Sequence, residues 1–337
     1  MEKLKIIFNR FAEQEARGKS PLYEAWCERI VVNEDLLRLI SHIPVSQPKP
    51  NLFFASVQYL ALKSDGPMRQ VFEMPSRFSY DDSFEMLVQF CVQHEAELLQ
   101  LFNTKLVQTN EVQRANYLYP LFADIAYESG KPLTLIEIGS SAGLLLNVDH
   151  YRYELQQEAC VIYGDEASPL TLRAKNYGEP VALKSTPVIQ KRFGIDLNVI
   201  DLRDEAQYAW LQSLIWPEET DRKELLAQAK AVHEKCEKQL LTGDFRLLLP
   251  RIFEDIAHSD SQVVIFHTHV ANQFPRDLKD DLLRLLDDLS GKQSIYHVYN
   301  NMFDGHLHVD FIKDGTTFEN KVLLNTDSHG RHFTWVQ

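Results

Sequence analysis

The sequence predicts an α/β protein: a helical N-terminal domain over residues 1–130, then a doubly wound, mostly parallel seven-stranded sheet over 131–337 that ends in an antiparallel hairpin. Three observations carry this. Up to about residue 130, apolar side chains recur at three-and-four spacing among charges. Beyond Gly130, short apolar runs alternate with amphipathic stretches, the pattern of parallel strands joined by right-handed crossover helices. Near the C-terminus the runs 307–313, 321–324 and 332–336 follow one another with no helix between them, which is hairpin behaviour.

The composition sets outer bounds. At 337 residues, with 45% hydrophobic and 25% charged, the chain can bury a core without disulfides or metals. Its net charge of −13 repels phosphate backbones, so nucleic acid is not the expected partner. Cys27, Cys91, Cys160 and Cys236 form no Cys-x-x-Cys pair, which argues against a zinc site or a disulfide framework and for free thiols in a reducing compartment. No apolar run resembles a signal peptide or the roughly 20-residue span of a membrane. The expected location is the cytoplasm, with no membrane partner.

Taken in order, the periodicity predicts helices near 3–17, 22–41, 50–63, 83–103 and 111–128, broken at Gly18–Pro21, Pro44–Pro50 and Ser64–Pro67. Gln108-Thr109-Asn110-Glu111 precedes the last of these, with Asn110 as its expected cap. Arg114 is placed either to grip a ligand carboxylate in bidentate fashion or to make a surface ion pair, with Asn116 and Tyr117 near the same cleft. Leu133–Ile138 reads as a buried strand, and the segment LLLNVDHYRYEL after it as a helix. Residues 151–187 read as an insertion. Further strands are expected at Val188–Ile195, Val263–His267 and Ser294–Tyr299, and helices at Glu205–Leu214, Arg222–Leu241 and Arg276–Leu289. Trp210 and Trp216 are expected to pack residues 205–226 against the sheet, and Glu218-Glu219 to be a solvated helix face.

The strongest motif is Glu137-Ile138-Gly139-Ser140-Ser141-Ala142-Gly143. A strand ends in small residues that let a ligand approach the backbone, and a following helix N-terminus would offer unpaired amides. The spacing is neither Gly-x-Gly-x-x-Gly nor a P-loop. Glu137, two residues before the first glycine, suits a cationic amine such as the ammonium of S-adenosylmethionine; a plain strand–turn–helix without ligand is the alternative. Asp196 closes the second strand, where a carboxylate accepts ribose hydroxyls, with Asp165 as its rival. Asp244 follows a third strand and faces an adenine amino group in this reading, or simply makes a Gly-Asp turn. His267, in His267-Thr268-His269, is placed as a general base, or as a buried histidine bonded to backbone. Asn272 or Gln273 would orient the acceptor. His306 and His308, with His297, Asp304 and Asp310, leave a third zinc ligand undefined, and no metal is expected.

As a set, Glu137 to Gly143, Asp196 and Asp244 resemble the class I S-adenosylmethionine-dependent methyltransferases, whose sheet is Rossmann-like. More narrowly, the chain resembles an uncharacterised bacterial family catalogued as DUF2332. The likeness rests on Gln108 to Glu111 with Arg114, the Glu-x-Gly-x-Ser-Ala-Gly-Leu turn, Arg192 to Asp196, and Trp210 to Arg222 around Ile215-Trp216-Pro217-Glu218. It implies methyl transfer from S-adenosylmethionine to a small-molecule or protein acceptor, with the helical part covering the cleft. Ser141 stands where the commonest methyltransferase turn has its central glycine. That departure keeps open a catalytically inactive binding or sensor protein; a nicotinamide oxidoreductase is disfavoured by the glycine spacing.

Overall fold

A computed structural model describes residues 1–108, 110–323 and 325–336. Thr109 of the expected cap stretch, Leu324 of the expected hairpin and Gln337 lie outside the described residues. In chain order the elements are α1 (Glu2–Phe11), α2 (Pro21–Ile30), α3 (Glu34–Ser41), α4 (Lys49–Leu62), α5 (Pro67–Glu73), α6 (Tyr80–Gln93), α7 (Glu95–Thr104) and α8 (Ala115–Ser129). Next come β1 (Leu133–Ile138), β2 (Arg152–Gln156), β3 (Cys160–Gly164), β4 (Thr171–Asn176), β5 (Ile189–Asp196), α9 (Glu205–Ser213), α10 (Thr220–His233), β6 (Gln239–Thr242) and α11 (Phe245–Asp255). The chain finishes with β7 (Gln262–His267), α12 (Arg276–Ser290), β8 (Ile295–Asn300), β9 (Leu307–Lys313), β10 (Thr316–Leu323) and β11 (His332–Phe333). Among the described residues, no helix is long and apolar enough to cross a membrane.

The chain divides into two compact units, 1–109 with 203–224, and 110–202 with 225–337. The expected boundary near 130 differs in two respects. Helix α8 belongs to the sheet-bearing unit, and residues 203–224 leave that unit to complete the helical one.

Aromatic rings show why residues 203–224 do so. In the helical unit the Tyr23 and Phe54 rings stack at 4.2 Å. Trp216 lies 5.5 Å from Phe11 and 5.8 Å from Tyr23. Trp210 meets Tyr59 edge-on at 5.6 Å, and its indole donates to Leu106 O. The Gln58 amide donates to Ser213 O and Ile215 O. Both tryptophans therefore fill the helical core and do not pack on the sheet as expected, because rings this large gain most where other rings enclose them. Glu218 is no solvated face either: it accepts from Ser20 Oγ and Leu22 N at the start of α2.

In the second unit the central sheet has the order β10-β9-β8-β7-β1-β5-β6. Strands β6, β5, β1, β7 and β8 are parallel, and β9 and β10 close the far side antiparallel, as the alternating sequence pattern predicts. From β1 the chain proceeds to β5 and β6 on one side and to β7 and β8 on the other. Between β1 and β7 the winding reverses, and in open α/β sheets the carboxyl rim at such a point is where ligands bind. Ile136 and Ile138 of β1 pack with Leu249 of α11 and with Leu282 and Leu286 of α12.

Three local expectations are overturned. The segment after β1 is not an α-helix but a short 3₁₀ turn, Leu145–His150, kinked at Asn147, followed by strand β2. Its carbonyls are taken by side chains: Tyr151 Oη donates to Leu144 O at 2.7 Å, Tyr153 Oη to Val148 O at 2.6 Å, and Arg192 Nε to Leu146 O at 2.9 Å. Tyr153 and Leu155, two apart and buried, then hold β2 to a period of two. The 151–187 insertion builds a second sheet, β11-β4-β2-β3. Strand β11 joins that sheet beside β4 instead of extending the C-terminal hairpin. Finally, the helix expected over 222–241 ends at His233, and Gln239–Thr242 forms β6.

Candidate functional site

Glu137 is the next-to-last residue of β1, in register with Gly194 of β5 and Phe266 of β7. Side chains alternate along a strand, so Glu137 projects away from the Ile136 and Ile138 face. The turn that follows has left-handed backbone at alternate positions: Gly139 (φ 76°), Ser141 (φ 50°) and Gly143 (φ 66°). Ser141 thus occupies a conformation that glycine adopts without strain, the conformational demand behind a central glycine in such turns.

Several of the turn's amides are already engaged. Gly139 N and Ser140 N both donate to Ile195 O, at 2.8 and 3.1 Å, and Gly143 N donates to Ser140 O. Ser141 N donates to Asp196 Oδ2 at 2.8 Å, while Asn198 N donates to Asp196 Oδ1. A methyl group at Gly139 would stand 2.6 Å from Val270 Cβ, and one at Gly143 would stand 2.7 Å from a Leu240 methyl. The expected helix N-terminus with open amides is absent, and the protein's own Asp196 fills part of the anion-binding role of the turn.

The Glu137 side chain is the opposite case. It is 3% exposed, and its Oε2 has no hydrogen-bond partner. Burial pushes its carboxyl well above the usual range, Asp196 pushes it further, and the Arg114 guanidinium opposes both. Beside it, Ser140 Oγ and Ser141 Oγ are buried and equally without partners.

Arg114 reaches this rim from the short 3₁₀ turn Val112–Arg114 that leads into α8. Glu111, not Asn110, caps that turn, accepting from Gln113 N, and its other oxygen meets His329 Nδ1 at 3.1 Å. The buried guanidinium donates from Nε to Ser328 O at 2.9 Å and from Nη1 to Thr268 Oγ1 at 3.2 Å. The C-terminal loop can sit this close because residue 330 is glycine: a methyl there would lie 2.3 Å from Gln113 O. Asn116 Nδ2 fastens the same loop through Gly330 O.

The ends of β7 and β8 complete the rim. His269 has left-handed backbone (φ 66°), and its N–H donates to Asn300 Oδ1 at 2.8 Å. Its Nε2, Asn300 Nδ2, Tyr117 Oη and Asn110 Nδ2 are buried atoms without well-formed hydrogen bonds. Arg114 acts electrostatically on Tyr117, His269 and Glu137 alike, which marks them as one neighbourhood.

The other residues singled out from sequence lie elsewhere. His267 ends β7 on the face opposite Glu137, fully buried, with Nε2 3.1 Å from His297 Nε2. Burial pushes it down to about 3, so it is a neutral interior histidine. Asp244 caps α11 by accepting from Arg246 N, and the Arg246 guanidinium beside it holds its carboxyl below the usual range. Asp165 accepts from Ala167 N in a turn after β3, in the second sheet, so Asp196 is the carboxylate beside the β1 turn. Among the described residues, no cluster of three or more His, Cys, Asp or Glu suited to a metal is assembled; His308 Nε2 lies 2.9 Å from Asp304. Sequence reasoning missed Asn300 and the placement of His269. The signal was available: Asn300 ends the apolar strand run as Asp196 does.

No curated protein and no solved structure matches the chain. The profile of the family described as an uncharacterized protein conserved in bacteria, DUF2332, matches residues 6–335, and the chain belongs to that family.

Proposed function

We infer that the rim at the β1/β7 switch point binds S-adenosylmethionine, and that the protein transfers its methyl group to a small-molecule or protein acceptor. The observation that carries this reading is Glu137: a buried acid with an unspent oxygen, at the end of the first strand of a doubly wound sheet. Its carboxylate would hold the ligand ammonium. Ser140 Oγ and Ser141 Oγ would take further polar atoms, and Asp196, which pins the turn through Ser141 N, would accept ribose hydroxyls from the end of β5. The bound sulfonium supplies the reactive methyl; the chain's part is to bind, orient and exclude water. Because burial favours the protonated carboxyl, taking up an ammonium expels the Glu137 proton, and affinity rises with pH.

Calorimetric titration with S-adenosylmethionine, S-adenosylhomocysteine and NAD tests this. The first two are expected to bind with proton release, and Glu137→Ala to weaken them at least about tenfold. Failure of both to bind, equal binding by Glu137→Ala, or binding of NAD alone would overturn it. A second reading, a binding or sensor protein without turnover, is favoured by the strained Ser141 and by Val270 packed over Gly139. Binding with no methyl transfer from labelled donor to any acceptor in cell extract is its expected signature.

A further inference from the structure

The unspent polar atoms at the ends of β7 and β8 share a chemical character. The Tyr117 hydroxyl and the Asn300 amide are at most 1% exposed as residues, and act on each other without a well-formed hydrogen bond. The Asn300 Nδ2 is a donor, and the Tyr117 hydroxyl can donate. Asn301 Nδ2, an amide nitrogen that can only donate, lies 3.4 Å from Nδ1 of the neutral His269 ring, an arrangement that favours the tautomer with its proton on the unpartnered Nε2. Arg114 spends Nε on Ser328 O and Nη1 on Thr268, with its charge buried among these groups. A buried cation surrounded by idle donors is complementary to an anion, and a guanidinium edge flanked by planar amide donors fits a carboxylate.

We propose that Arg114, Tyr117, His269 and Asn300 form a carboxylate-binding subsite for small-molecule ligands at the carboxyl ends of β7 and β8. The subsite stands whether or not the methyl-donor reading holds. The carboxylate has two possible sources: the amino-acid end of S-adenosylmethionine itself, or a second, acidic molecule bound beside it. Each donor then has its task. Arg114 supplies charge and direction, held by Ser328 O and Thr268 so that little side-chain entropy is lost on binding. Tyr117 and Asn300 add neutral hydrogen bonds from opposite elements. His269 is kept neutral by burial and by Arg114, and donates without adding a second charge.

Saturation-transfer NMR on the intact protein with acetate, acetamide and inorganic phosphate tests this, since acetate is small enough to enter whatever the rest of the ligand is. Acetate is expected to bind and acetamide not. Arg114→Gln is expected to weaken acetate at least about tenfold, and Tyr117→Phe, which keeps the ring, by several-fold, both with native circular dichroism. Competition between acetate and S-adenosylhomocysteine assigns the carboxylate to the methyl donor; simultaneous binding assigns it to a second molecule. No transfer to acetate, acetate binding unchanged in a folded Tyr117→Phe protein, or preference for phosphate over acetate overturns the proposal. A Glu137→Ala protein that still binds acetate but not S-adenosylhomocysteine separates this subsite from the proposed donor site.

Discussion

The two halves of the sheet's carboxyl rim handle polar groups in opposite ways. On the β5 and β6 side, Asp196 accepts from Ser141 N and Asn198 N, and Asp244 caps α11 and pairs with Arg246. On the β1, β7 and β8 side, Glu137 Oε2, His269 Nε2 and Asn300 Nδ2 are buried without a well-formed hydrogen bond. Both halves satisfy the same sequence rule, a polar residue at the end of an apolar strand. The first half uses these residues to build the protein; the second leaves them idle at a cost in folding free energy. The lesson is that an acid at a strand end marks a possible ligand group, but only its hydrogen-bond partners tell a pin from a receptor.

The comparison can be broken on the idle side by disturbing what holds Arg114 there. Gly330→Ala puts a methyl 2.3 Å from Gln113 O on a left-handed backbone (φ 72°), and is expected to cost about 3 kcal/mol or more in chemical denaturation. Stability within error of the parent would show that the C-terminal loop does not bear on the Arg114 turn. On the pinned side, Asp196→Ala releases two backbone amides and is expected to cost about 2 kcal/mol, with faster hydrogen exchange at Ser141 and Asn198. Unchanged exchange at both amides would remove the distinction drawn here.

Glu137→Gln sharpens the contrast through pH. A carboxyl whose folded pKa is raised adds most to stability below its ordinary pKa, and that contribution is lost as pH climbs toward the folded value. Glutamine has no proton to lose, so the variant's melting temperature should exceed the parent's by a margin that grows from acidic to alkaline pH. A margin that is constant with pH would mean that Glu137 is not a desolvated acid.

Much of the architecture was legible from the chain. The runs at 133–138, 263–267 and 295–299 are buried on both faces and therefore mostly apolar, which makes parallel strands plain to periodicity. What failed did so for side-chain reasons. LLLNVDHYRYEL has helical content, but Tyr151, Tyr153 and Arg192 take the carbonyls that a helix needs. The rim acids were found, yet whether Asp196 faced a ligand or an amide was decided by Ser141, 55 residues away in sequence. His267 and His269 are indistinguishable as letters; strand alternation and the left-handed turn at His269 send one to the interior and the other to the rim.

The excursion of residues 203–224 into the helical unit bears on how the protein is made. Trp210 and Trp216, with Ala209 and Leu214, belong to a core whose remaining members lie in the first hundred or so residues. On the ribosome that core stays incomplete until β1 through β5 have been synthesised, so residues 1–109 must wait, partly open, for a segment encoded well downstream. A gene cut after residue 130 yields a fragment lacking both indoles, and such a product is expected to be recovered as aggregate. Splitting this protein into separately expressed pieces calls for carrying 203–224 along with the first piece.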